Sequence, residues 1–126
     1  MSANSSVVLV VEDEDSLRSL LVRELKINNH TVIESKNGQD GLSLALKQKP
    51  DLIILDVVMP VMDGLEMARM LRKDEWGNTV PIIMLTNLSN IEHINSALEE
   101  NVHDYIVKSD TSLSAIAVRA GELIQN

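Results

Sequence analysis

Cysteine and phenylalanine are both absent from the 126 residues. Without cysteine there are no disulfides, no thiolate metal sites and no cysteine nucleophile, so any metal must be held by oxygen or histidine. Without phenylalanine, Trp76 and Tyr105 are the whole aromatic complement, and the 44% apolar content is aliphatic and methionine. Positive charge is scarce as well: 11 Lys plus Arg stand against 19 Asp plus Glu, a net charge of −8. A binder of nucleic-acid backbone needs a basic face, so no direct nucleic-acid partner is expected. Long apolar runs are missing too. Val7–Val11 and Leu52–Leu55 fall far below the roughly 20 residues of a membrane span, and no basic segment leads into a signal-like core at the N-terminus. These absences point to a soluble cytoplasmic chain with no membrane partner, of a length that supports one domain around one core.

Five short, apolar, β-branched segments recur: Val7–Val11, Thr31–Glu34, Leu52–Leu55, Val80–Leu85 and Tyr105–Val107. A stretch with helical spacing follows each. Leu17, Leu20, Leu21 and Leu25 make an i, i+3, i+4, i+8 stripe, with Asp15 or Ser16 as candidate cap and Asn28-Asn29 as a left-handed stop. The same reading gives helices through Leu42, Ala45 and Leu46, through Leu65, Ala68 and Leu71, through Ile91, Ile94, Ala97 and Leu98, and through Leu113, Ile116, Ala120, Leu123 and Ile124. The first, third and fourth strand segments are nearly continuous hydrophobics, which suits strands covered by helices on both faces. With right-handed crossovers, the expected fold is a doubly wound (βα)5 α/β sandwich with a five-stranded parallel sheet, for which 2-1-3-4-5 is a common strand order. Residues 1–6 are polar and expected to be frayed, and 7–126 form the domain.

Ligands of such sheets bind outside the carboxyl ends of the strands. The first strand segment ends in Glu12-Asp13 and the third in Asp56, so three carboxylates converge there without a cation between the two strands. Like charges this close destabilise one another, and a hard cation such as Mg²⁺ relieves them through oxygen ligands. The fourth segment ends at Thr86 and the fifth at Lys108, a hydroxyl and an ammonium at the same edge. Acids, hydroxyl and ammonium together suit an aspartate that carries a phosphoryl group.

The runs VLVVEDED, LIILDVVMPVMDG, PIIMLT and DYIVK, in this order and spacing over essentially the whole chain, resemble the receiver domain of two-component response regulators. The resemblance implies a flavodoxin-like strand order 2-1-3-4-5. It implies Asp56 as phosphoacceptor, Thr86 as switch hydroxyl and Lys108 as the catalytic lysine. Asp13, Asp56 and the backbone carbonyl of Val58 would hold Mg²⁺, with Glu12 acting through water, and Tyr105 matches the rotating aromatic. The implied function is phosphorelay signalling: a sensor histidine kinase or phosphotransfer protein phosphorylates Asp56, and a downstream protein reads the changed surface. That surface is the face of the fourth helix, fifth strand and fifth helix, where phosphorylation-dependent dimers are also expected. Such a module is no turnover enzyme and catalyses only its own phosphoryl transfer and dephosphorylation.

Three positions depart from the family pattern. Ser109 stands where proline is usual, so a trans Lys108–Ser109 bond is expected, a non-proline cis bond costing about 2.5 to 4 kcal/mol. Asn87 replaces a small residue, and no second domain follows the fifth helix to carry a direct output. Val58 and Leu88, apolar beside the line of water attack, imply a long-lived phosphoryl group.

Rival readings remain. A phosphorylation-independent interaction scaffold on the same fold would not need Glu12, Asp13, Asp56, Thr86 and Lys108 together. A flavin carrier would have a Ser/Thr/Gly-rich first loop instead of an acidic one, and an aspartyl phosphatase would carry a second aspartate where Val58 stands. His30, His93 and His103 lack metal-ligand spacing and read as surface residues; Met62, Met67 and Met70 read as packing. Gly38 and Gly41 make no phosphate-cradling loop.

Overall fold

In the computed structural model, which describes residues 6–86, 104–108 and 111–125, five parallel strands pair in the order β2-β1-β3-β4-β5. The elements are β1 (Val7–Val11), α1 (Asp15–Ile27), β2 (Thr31–Ser35), α2 (Gly38–Gln48), β3 (Leu52–Asp56), α3 (Gly64–Arg72), β4 (Ile82–Thr86), β5 (Asp104–Val107) and α4 (Leu113–Gln125). The α4 helix is the fifth of the sequence reading. The predicted helix through Ile91, Ile94, Ala97 and Leu98 lies outside the described residues, as do residues 1–5. Ser6, expected to fray with them, is tied in: its carbonyl accepts the Thr31 N–H at 2.8 Å.

Alternation along the central strands builds two apolar layers. Leu9, Val11, Ile53, Leu55, Ile82 and Met84 face one way and pack with Leu65, Met67, Ala68 and Leu71 of α3 and Ala45 of α2. Val8, Val10, Leu52, Ile54, Ile83 and Leu85 face the other way, against Leu21, Val22 and Leu25 of α1 and Ile116, Ala117 and Ala120 of α4. Every residue of β3 and β4 is buried, which explains their unbroken apolar sequence. The predicted strand Val80–Leu85 starts later, at Ile82, because Pro81 has no N–H to give to a ladder. Trp76 lies before β4, half-buried against the first layer, at the end of the sheet away from Asp56.

Helix ends follow side-chain chemistry. Asn37 and Asp63 cap α2 and α3, accepting the N–H groups of Asp40 and Glu66 at 2.8 Å each. The expected cap of α1 is corrected: neither Asp15 nor Ser16 serves, the preceding residue is Glu14, and it makes no side-chain cap bond. The expected stop is in place, with Asn29 left-handed at φ 71°. Gly64 opens α3 against β3, since a Cβ there would lie 2.2 Å from the Asp56 carbonyl oxygen. Gly38 and Gly41, which carry no phosphate loop, do similar work: a Cβ on Gly38 would meet the Met62 carbonyl oxygen at 2.3 Å and one on Gly41 the Val11 side chain at 2.8 Å.

Candidate functional site

Register brings four strand ends together. Val11 pairs with Leu55, so Glu12 emerges beside Asp56. Asp56 pairs with Leu85, so Thr86 follows on its other side, and Thr86 pairs with Val107, which places Lys108 next. The Lys108 N–H donates to the Thr86 carbonyl at 2.8 Å, fixing the last of these residues in line. Side-chain oxygens of Glu12, Asp13 and Asp56 all lie within 4.8 Å of one another. Glu12 and Thr86 are fully buried and Asp56 is 4% exposed, whereas Asp13 is exposed.

The Lys108 ammonium sits 3.0 Å from Asp56 Oδ2 and 3.1 Å from Glu12 Oε1. Its approach to Glu12 is an ion pair without hydrogen-bond alignment, which leaves Oε1 a buried oxygen with no hydrogen-bond partner. The other oxygen, Oε2, accepts the Glu14 N–H at 3.0 Å. Burial pushes the Glu12 carboxyl up to about 7; the Glu14 N–H opposes this, the Asp56 charge adds to it, and Lys108 pulls it down. Burial also raises Asp56 above the usual carboxylate range, against the pull of Lys108. Burial disfavours the Lys108 ammonium, yet the two carboxylates outweigh it and its pKa is raised. One ammonium therefore does not offset the acids around it.

These residues fit a hard divalent cation. All side-chain donors are carboxylate oxygens, they converge within one ion's reach, and one buried oxygen has no hydrogen-bond partner. Such an ion would take up the charge that burial now penalises.

Of the residues expected from sequence, the structure brings Glu12, Asp13, Asp56, Thr86 and Lys108 to one place. Val58 is half-exposed, at 48%, two residues past Asp56. The nearby Val61 is left-handed at φ 71°, in a tight turn where the Met62 N–H donates to the Pro60 carbonyl at 2.8 Å. Tyr105 lies on β5 opposite Met84, and its side chain is outside the described residues, as are Asn87, Leu88, His93, His103 and Ser109. His30 is corrected from surface to half-buried, with a buried Nδ1 that has no hydrogen bond. Met67 is core and Met62 packs on it, but Met70 is exposed.

Sequence reading passed over Arg18. The buried face of α1 is Arg18, Leu21, Val22 and Leu25; of the expected stripe Leu21 and Leu25 are buried, Leu17 is partly buried and Leu20 is half-exposed at 50%. A cation at the first place of an i, i+3, i+4, i+7 stripe was the available signal.

The family model described as response regulator receiver domain matches residues 8–117. A probable transcriptional regulator, ycf27 of Porphyridium aerugineum, is 41% identical over 101 residues, which are 80% of this chain and 41% of that protein. The chain thus spans about two fifths of the length of this curated relative. A putative response regulator from Chloroflexus aurantiacus superposes with TM-score 0.90 at 25% identity, over 98% of this chain and all of that one. The receiver domain of a sensor histidine kinase from Pseudomonas aeruginosa, solved with magnesium coordinated in its active-site cleft, superposes at 0.88 with 25% identity, over 98% and 100%.

Proposed function

The chain belongs to the receiver-domain family of two-component response regulators, and from that premise we propose that it accepts a phosphoryl group on Asp56 and passes the event on as a change of surface. The observation that carries this reading is a buried Asp56 carboxylate paired at 3.0 Å with Lys108 inside a group of acids that one ammonium leaves undercompensated.

The donor is the phosphohistidine of a sensor kinase or phosphotransfer protein. An Asp56 oxygen bonds to phosphorus as the P–N bond breaks, and the departing imidazole keeps the bond's electron pair and takes a proton. The Lys108 ammonium and the Thr86 hydroxyl oppose the charge on the phosphoryl oxygens. Asp13, Asp56 and the Val58 carbonyl, with Glu12 acting through water, would hold Mg²⁺, which would supply neutralisation of acceptor and phosphoryl charge. Thr86 moving toward the phosphoryl group opens space for Tyr105 to turn. The signal then leaves through β5, α4 and the residues between β4 and β5, toward a downstream protein or a second copy. Catalysis is confined to the protein's own phosphorylation and dephosphorylation, and the apolar Val58, with Leu88, slows the latter by excluding water.

The test is intact mass after incubation with a small phosphodonor, with and without Mg²⁺, and sizing before and after. One phosphoryl group is expected, dependent on Mg²⁺ and lost in Asp56→Asn. Uptake by Asp56→Asn would overturn the assignment, and no uptake with no Mg²⁺ binding would return the fold to the role of a phosphorylation-independent scaffold.

A further inference from the structure

Arg18 is a buried cation that the acceptor chemistry leaves without a task. It is 7% exposed and spends its guanidinium on three separate elements. Nη1 donates to the Glu12 carbonyl at 2.9 Å, Nε to Glu34 Oε1 on β2 at 3.1 Å, and Nη2 to Asp15 Oδ1 in the first turn of α1 at 2.6 Å. Both carboxylate partners are themselves largely open to water, at 75% and 49%. Surface pairs of that kind contribute little to stability, so they do not account for placing a guanidinium on the apolar face of a helix. The distinctive bond is the one to the Glu12 carbonyl, because it acts on the cation site.

That carbonyl belongs to the peptide joining Glu12 to Asp13. Turning this peptide plane swings the Cα–Cβ bond of Asp13, the exposed acid of the three. Among the described residues nothing hydrogen-bonds the Asp13 side chain, so the position of its Cβ, and with it the set of rotamers that can reach Asp56, is fixed by the backbone alone. Glu12 is anchored independently through the Glu14 N–H. We propose that Arg18 is a positioning residue for the divalent-cation site: by gripping the Glu12 carbonyl between β1, β2 and α1, it holds the Glu12–Asp13 peptide in the plane that aims the Asp13 carboxylate at Asp56. The proposal rests on the reading of these acids as a Mg²⁺ site. A planar fork reaching three acceptors is what arginine offers, and lysine, with one nitrogen on a flexible stem, does not reproduce it.

Orientation and charge make opposite predictions here. Deleting a cation close to an acid group strengthens Mg²⁺ binding if charge alone matters, whereas losing the grip on Asp13 weakens it. A control exists at the other end of the sheet, where Arg72 Nη1 donates to the carbonyls of Gly77 and Val80 at 2.6 and 3.0 Å.

The experiment titrates Mg²⁺ calorimetrically into the metal-free, unphosphorylated chain as parent, Arg18→Met, Arg18→Lys and Arg72→Met, each checked for folding by its melting curve. A second readout is the amide NMR spectrum of the metal-free proteins. Support for an outer residue typically changes metal affinity by about tenfold or more. Arg18→Met and Arg18→Lys are expected to weaken Mg²⁺ by about that factor and to move the Asp13 and Glu14 amide signals, while Arg72→Met lowers melting and leaves both unchanged. Should Arg18→Met fail to fold, Arg18→Lys, which keeps the charge, carries the test. Tighter binding in Arg18→Met, or affinity within twofold of the parent in Arg18→Lys, overturns the positioning role. A parent that binds no Mg²⁺ overturns the underlying reading of the acids instead.

Discussion

The two ends of the sheet are built from connections of similar length and treat their polar groups in opposite ways. At the amino end, among the described residues, polar groups are paired locally. The Val7 N–H donates to Asp51 Oδ2 at 2.8 Å, the Asp51 N–H returns to the Val7 carbonyl at 2.8 Å, and Asp74 holds the Gly77 N–H at 2.9 Å. The exception is a neutral one, the buried Nδ1 of His30. At the carboxyl end, among the described residues, Glu12 and Asp56 share one ammonium, Asp13 lies beside them without one, and a buried Glu12 oxygen has no hydrogen bond. Matched groups make a joint whose task is complete on folding. Unmatched like charges, held in place by strands buried on both faces, cost stability and suit a cation that would join them.

Glycine offers the most severe way to break this contrast. A Cβ at Gly64 or at Gly77 would lie 2.2 Å from a backbone carbonyl oxygen, of Asp56 in one case and Leu71 in the other. Both alanine variants are expected to lose about 1–3 kcal/mol in urea unfolding, as overpacking does. Only Gly64→Ala should also cut phosphoryl uptake, about tenfold or more, because the carbonyl it displaces belongs to the acceptor. Equal loss of uptake in both would show that the ends are not independent.

Removing the shared ammonium comes next. Lys108→Met leaves Glu12 and Asp56 uncompensated and should lower metal-free stability by roughly 1–3 kcal/mol, the cost of unpaired buried groups. Compared with the parent at the same Mg²⁺ concentration, Lys108→Met should recover much of its deficit and Arg72→Met should keep all of its own, as read from melting curves with and without the ion.

Acid should separate the ends more gently. Glu12 is raised from an ordinary 4.5 to about 7, so its contribution to metal-free stability is fully present below about 4.5 and disappears as pH rises through about 7. His30 is lowered from 6.5 by burial, so its contribution is present above 6.5 and is lost as pH falls through its folded value. Melting temperature followed between pH 5 and 8 should therefore fall less steeply from pH 5 to about 7 in Glu12→Gln than in the parent, with the two slopes alike above that. The smallest effect expected is a shallower acid-side fall in His30→Asn. The same slope in variant and parent would refute either assignment.

Much of the carboxyl end was legible because strands end where apolar runs end. Glu12, Asp56, Thr86 and Lys108 each sit at such a boundary, and the parallel order turns four boundaries into one edge. The covered faces of β3 and β4 were legible for the same reason. Helix rotation was not. Leucines at 17, 20, 21 and 25 make the more apolar stripe, yet α1 turns to bury Arg18 and Val22 beside Leu21 and Leu25, with the guanidinium on the carbonyl of Glu12 just past β1. The surface of α2 shows a similar limit: Leu46, read as core, is 38% exposed because Gly38 and Gly41 bring the other side of the helix down onto the sheet. Hydropathy counts methyl groups; it does not see a neighbour's carbonyl oxygen.

Strand order also has a consequence for a chain made from its amino end on the ribosome. The first strand to emerge, β1, becomes an interior strand, and it must wait for β3 before both its edges are covered. The three acids are present once Asp56 has been translated, but their ammonium is encoded 52 positions later, at Lys108. During that interval the growing chain carries those acids without the lysine that pairs with Glu12 and Asp56 in the finished fold. The site's charges are supplied in two instalments, acid first and ammonium last.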